Sequence, residues 1–220
     1  MTRTARKTRK TPSLILAAAL LAPAPALLLV QPAHAATTQG TPSRMVLENS
    51  TRVLREMETR RAEFTRDRTA LNAFIASEFN QMFDRDYAAR LVLGRHGRGA
   101  SDADVKLFAD ALAGSLMSRY GASLISFDRG LKVRVKSETP LRGGTIVRVS
   151  SELLRATGEP VPVDYLMRQV GGQWKVFDVM VEGVSFVQTF RTQFDGELGR
   201  KGIRQVAADL AAGRISARAE

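Results

Sequence analysis

The chain has 220 residues, a formal net charge of +11 and no cysteine. The length suits one domain with a full core, and the lack of cysteine excludes disulfides, thiolate metal sites and acylation as a lipoprotein. Five cations (Arg3, Arg6, Lys7, Arg9 and Lys10) lie in the first ten residues, so the rest carries only +6, which excludes a nucleic-acid footprint.

Those cations precede an apolar run from Ser13 to Val30, broken by Pro23 and Pro25 and followed by Ala33-His34-Ala35. A basic opening, an apolar stretch and a small-x-small site predict a cleaved secretory signal peptide over 1–35 rather than a membrane anchor. The expected remainder is a flexible start at 36–42, a single domain over 43–213 and a tail at 214–220. No later apolar run is long enough to span a bilayer.

A charged helix is expected from about Ser43 to Thr65, with Met45, Val46, Val53, Leu54 and Met57 as its apolar points. Leu71, Phe74, Ile75, Phe79, Met82 and Phe83 recur at helical period and predict the next helix. Asp84 and Asp86 read as caps of a short helix from Tyr87 to Leu93, which ends in the loop of Gly94, Gly97 and Gly99. Ser101 and Asp104 resemble a capping box for a helix carrying Val105, Phe108, Leu112, Leu116 and Tyr120, stopped at Gly121.

The period then changes to two. Leu131, Val133 and Val135 alternate with Lys132, Arg134 and Lys136, which predicts a half-buried strand. Strands are also expected at Thr145–Leu154, Val161–Val170 and Trp174–Val181, joined by turns at Gly143-Gly144, Gly158-Glu159-Pro160 and Gly171-Gly172. Helical spacing returns at Val184, Val187, Phe190, Phe194 and Leu198, and Gly202 leads into a last helix with Ile203, Val206 and Leu210. The fold class is α+β, a four-stranded curved antiparallel sheet packed by N-terminal and C-terminal helices.

Catalytic motifs are scarce. His96 is the one histidine after the signal, so with no cysteine to join it no metal site is expected, and a surface-loop role fits it better. No nucleophile elbow, Walker loop, zinc helix or dinucleotide fingerprint occurs. Asp178 follows Trp174 and Val176 on one strand face. It is either a general base or a structural partner for a buried donor, and the structural role is favoured. No cofactor is expected. Large apolar residues converge from helices and strands, and either a filled core or an apolar cavity fits that pattern.

The run Trp174-Lys175-Val176-Phe177-Asp178-Val179-Met180-Val181-Glu182-Gly183-Val184-Ser185, continued by Gln188, Arg191, Phe194 and Gly199-Arg200-Lys201-Gly202-Ile203, closely resembles the MlaC (toluene-tolerance) family of periplasmic phospholipid-binding proteins. Phe83-Asp84, Tyr87-Ala88-Ala89, Leu91-Val92-Leu93-Gly94 and Val163-Asp164-Tyr165 match the same family, so the resemblance spans roughly 70–210. It implies a soluble, non-enzymatic, monomeric carrier in the periplasm. Its acyl chains would enter a cavity between sheet and helices, with the headgroup largely in solvent. The implied partners are an inner-membrane ABC transporter complex with its lipid-binding subunit and an outer-membrane lipoprotein–porin complex. By analogy and period, the expected tail-binding residues are Phe83, Tyr87, Leu112, Leu116, Val147, Val149, Tyr165, Met167, Val184 and Phe186. The alternatives are a carrier of hopanoid-related or other hydrophobic ligands, a pocket enzyme using Asp178, and an adaptor with a solid core.

Overall fold

The computed structural model describes residues 40–120 and 129–218. The expected signal peptide, residues 36–39 of the expected flexible start, Gly121 and residues 219–220 lie outside them. Helix α1 (Pro42–Thr59) begins with proline in its first turn and Thr41 as its cap, which accepts from the Arg44 N–H at 3.3 Å. The long helix expected up to Thr65 divides at Arg60, and a short α2 (Arg61–Arg66) follows. The division turns Phe64 inward, fully buried and stacked at 5.4 Å on Phe74 of α3 (Arg68–Met82), with the Arg60 guanidinium over the Phe64 ring.

Phe83, expected to end the apolar stripe of α3, lies outside the helix. Its backbone is extended and bridges to Val176, and the next N–H, of Asp84, donates to the Val176 carbonyl at 2.8 Å. Asp84 then caps α4 (Arg85–Leu93) by accepting from the Tyr87 N–H, and Asp86 sits in the first turn, where the helix dipole favours negative charge. A 3-10 turn at Gly94–Gly97 leads to Ser101, whose hydroxyl accepts from the Asp104 N–H at the start of α5 (Asp102–Tyr120). Only half of the capping box forms, because the Asp104 carboxylate accepts from Arg204 Nε at 2.6 Å instead.

Strands β1 (Lys132–Leu141), β2 (Ile146–Leu154), β3 (Val161–Val170) and β4 (Gln173–Val181) form the expected meander, paired in chain order. Two details differ from the sequence reading. β1 continues past a register shift at Lys136 to Leu141, as an exposed edge strand with Pro140 near its end, so alternation ceases before pairing does. A fifth strand, β5 (Val184–Ser185), folds back on β4 across a two-residue turn. Glu182 and Gly183 both have positive φ (51° and 83°), the geometry of a tight hairpin, with Glu where Asn or Asp is usual.

β4 also carries one extra residue. Val176 pairs with Met167 and Asp178 with Leu166, which leaves Phe177 as a bulge. The bulge reverses the side-chain phase, so Asp178 does not share a face with Trp174 and Val176 as strict alternation predicts. Three consecutive residues, Val176, Phe177 and Asp178, are therefore buried, Val176 in the sheet core, Phe177 against Tyr87 of α4, and Asp178 bonded to Ser185 and Val187. One core joins the sheet to α1 through Val46, Val147, Val149, Met167 and Val176. The other joins α4 and α5 to α6 (Phe186–Ala211), with Phe108 and Phe194 meeting edge to face at 5.9 Å.

Within α6, Gly202 adopts φ 73°, ψ 169° and separates the expected last helix from the one before it. The segment 214–218, expected as tail, is part of the second core. Ala217 is fully buried, its N–H donates to Ser115 Oγ, and the Gln193 amide accepts from the Arg218 N–H and donates to the Ser216 carbonyl. Asp209 accepts from Lys201, Gln205 and Arg214, which hold its carboxyl well below the usual carboxylate range.

Truncation after Gly213 is expected to cost about 2–4 kcal/mol in lost burial and hydrogen bonds, read as a lower midpoint in urea unfolding. Gly202→Ala meets no neighbouring atom, so its expected cost of about 1–3 kcal/mol comes from the backbone conformation alone. A calorimetric Tm equal to that of the parent would refute this account of the kink.

Candidate functional site

α1 crosses the sheet face formed by β1 and β2. Near its start the packing is closed, since Val46 is fully buried among Val147, Val149, Met167 and Val176. About 10 Å further along the axis, Val53, Leu54 and Met57 border an open cleft of about 650 Å³. Phe74 and Ile75 of α3 form a second wall, and Leu131 just before β1 with Val133 near its start a third. Val135, two residues on from Val133, already packs against the closed core, so the cleft continues that core toward one end of the sheet.

Arg52 holds α1 and α3 as facing walls. Its guanidinium donates to both carboxylate oxygens of Glu78, at 2.6 and 2.5 Å, and Glu78 itself lines the cleft. The other charged lining residues are Arg55, Glu58, Arg61, Arg129 and Lys132. An apolar interior with charge among its lining residues is an amphiphile's outline, and its volume lies within the range of about 300–1,000 Å³ usual for small-ligand sites. A roomier groove between α6 and residues 213–218 is lined mainly by Gln188, Thr189, Thr192, Gln193 and Arg214, polar groups unsuited to hydrocarbon.

The ten residues expected to bind tails fall into separate groups, and none lines the cleft. Val147, Val149 and Met167 are buried in the sheet–α1 core, with Phe83 and Tyr165 packed against it. The Tyr165 hydroxyl is bonded to Ser50, and burial raises its pKa. Leu112 belongs to the α4–α6 core, and Leu116 and Phe186 pack on it. Tyr87 meets Phe177 edge to face, with Arg168 over its ring at 4.1 Å. Val184 is 54 % exposed on β5. Periodicity marked Val53, Leu54, Met57, Phe74, Ile75, Leu131 and Val133 as apolar but carried no sign that they stay only partly covered. The available clue was the density of charge on α1, too high for a helix buried along its length.

The MlaC protein family model matches residues 47–212. The chain belongs to the MlaC family. It is 24 % identical over 165 residues to the toluene tolerance protein ttg2D of Pseudomonas putida, covering 74 % of this chain and 75 % of that one. It is 20 % identical over 171 residues to the intermembrane phospholipid transport system binding protein MlaC of Haemophilus influenzae, covering 76 % and 79 %. Its fold matches that of a phospholipid-binding protein from Ralstonia solanacearum, solved in complex with a phospholipid, at a TM-score of 0.68 and 20 % identity. That match covers 78 % of this chain and 97 % of the other.

The run that carries the MlaC resemblance is a structural joint. Val176 enters one core, Phe177 is the bulge, Glu182-Gly183 makes the turn, and Ser185 caps α6 by accepting from the Gln188 N–H. Asp178 completes the joint by accepting from Ser185 Oγ at 2.6 Å and the Val187 N–H at 3.1 Å. Burial pushes its carboxyl above the usual range, partly offset by those bonds and by the Val179 and Phe186 N–H groups. His96, expected on an open loop, is largely covered, with Nε2 3.0 Å from Asp195 Oδ1. Neither Asp178 nor His96 lines the cleft.

Asp178→Ala is expected to destabilise the protein by about 1–3 kcal/mol, because the buried Val187 N–H and the part-buried Ser185 hydroxyl lose their acceptor. Asp178→Asn keeps the Val187 acceptor and removes the charge. A carboxyl whose folded pKa is raised contributes stability in acid that is lost as pH rises through that value. The parent should therefore lose stability relative to Asp178→Asn as pH rises from about 4, and parallel urea-stability profiles of the two would contradict the assignment.

Proposed function

We propose that this chain is a carrier of phospholipid that holds acyl chains in the cleft between α1, α3 and the start of β1. The observation that supports this is an apolar cleft of about 650 Å³ with charged groups among its lining, in a chain of the MlaC family. The names of relatives point the same way, since one is called a phospholipid transport binding protein and a structural neighbour was solved with phospholipid bound.

Physical chemistry favours a passive device. Each methylene withdrawn from water is worth about 0.8 kcal/mol, so a long tail in a dry slot is held firmly against water. Against a bilayer the net gain is close to zero, because the tail leaves one apolar medium for another. Such a carrier needs no covalent step, only partners that open the slot at each membrane. The proposed route runs through the periplasm between an inner-membrane ABC transporter complex and an outer-membrane lipoprotein–porin complex, which would maintain outer-membrane lipid asymmetry. The export signal read at 1–35 supports that compartment.

In this proposal Val53, Leu54, Met57, Ile75 and Val133 contact the first part of a tail. Val147, Val149, Tyr165 and Met167, with Phe83 against them, form the layer that a longer tail meets beyond Val135. The Met side chains suit tails of varied shape. Leu112, Leu116, Phe186, Tyr87 and Val184 have packing or surface roles.

Protein purified without detergent is expected to yield phospholipid on organic extraction and bound-lipid adducts in native mass spectrometry. Leu54→Glu and Ile75→Glu place a carboxylate on partly covered walls and should remove at least nine-tenths of that lipid while circular dichroism stays unchanged. Val184→Glu, on β5, should keep the full load. Equal loads in all four proteins would sink the assignment of the cleft, and no lipid in the parent would sink the carrier reading.

A further inference from the structure

The charges lining the cleft are unbalanced. Arg55 on α1, Arg129 just before β1 and Lys132 at its first position have no ion-pair partner among the described residues. Elsewhere on β1 the pattern is different, since Arg134 and Lys136 are both paired with Glu152. Of the two carboxylates lining the cleft among the described residues, Glu78 is already neutralised by Arg52, which leaves Glu58 to set against three cations. The three come from two elements, α1 and the approach to β1, that both line the cleft, so a ligand held in it lies within their combined field.

We infer that the cleft selects its lipid by headgroup charge, preferring a phosphodiester whose second substituent is uncharged over one that carries an ammonium. This rests on the carrier reading above and adds the class of lipid carried. An anionic diester with a neutral alcohol brings one uncompensated negative charge to a rim with excess positive charge. A zwitterionic headgroup brings the same phosphate together with an ammonium, which the arginines and lysine repel and for which, among the described lining residues, Glu58 alone is free to pair. Tails are equivalent in the two lipids, so hydrocarbon burial cancels and the headgroup alone decides. All three cations are solvent-accessible, so each contributes a modest factor, and together they give a preference of about 3- to 10-fold at low salt. That preference shrinks as salt screens it.

The test is competitive uptake. The protein is incubated with vesicles containing equal amounts of phosphatidylglycerol and phosphatidylethanolamine of identical acyl chains. It is then re-isolated, and the extracted lipids are quantified by mass spectrometry. The expected result is several-fold enrichment of phosphatidylglycerol, falling toward the vesicle ratio in 1 M salt, where the screening length is about 3 Å. Arg129→Gln with Lys132→Gln should bring the ratio close to that of the vesicles, and Arg55→Gln, on a different element, should lower it part of the way. A control carrying Arg98→Gln and Lys106→Gln removes the same charge away from the cleft and should keep the parent's ratio.

Equal uptake of both lipids by the parent, or enrichment unchanged by the rim variants, overturns headgroup selection and leaves the carrier reading standing. Enrichment lost equally in the control assigns the effect to overall charge and also overturns it. Uptake of neither lipid removes the carrier reading, and this inference with it.

Discussion

A single inserted residue organises the molecule. With Phe177 bulged from β4, Val176 faces the sheet–α1 core while Asp178 turns to the opposite face and anchors the start of α6. Without that reversal Asp178 would point at Val149 and Met167, an unpaired carboxylate in hydrocarbon. With it, α4, α5 and α6 form a core of their own, and the other face of the sheet is left chiefly to α1. One helix cannot cover a five-stranded sheet, and the uncovered part is where the cleft lies.

The cleft persists because its walls are held apart as well as together. Val46 fixes one end of α1 to the sheet, and the Arg52–Glu78 fork fixes its middle to α3. Phe64 stacked on Phe74 ties α2 to α3 beside it. Between these ties the walls keep a separation that their own side chains do not fill. Leaving Leu54, Met57 and Ile75 partly covered forgoes some hydrophobic stabilisation, and the second core offsets it with fully buried Phe108, Phe194 and Val206. Stability and ligand access are thereby assigned to different parts of one chain.

Some of this was legible in the residues. Alternation at the start of β1 and the turn glycines placed the meander, and Ser101 and Asp84 marked two helix starts correctly. The run from Trp174 to Ser185 identified the family even though what it encodes is a joint between cores. Strict alternation failed at one residue of that run, because a bulge leaves no mark in hydropathy when Val, Phe and Asp are all buried. The break of the first helix at Arg60 was equally silent, since it depends on where Phe74 waits for Phe64.

The sequence by itself determined the class of fold, the order of its elements, the family and the absence of familiar catalytic motifs. These follow from local period, turn chemistry and short motifs, which neighbouring residues carry without help. Only the tertiary structure decided which apolar residues are filled core and which stay open. Val147 and Val133 look alike in a strand pattern, yet one lies beneath Val46 and the other borders the cleft. The difference is the presence or absence of a partner from a distant part of the chain, and the pattern of a strand does not contain its partner.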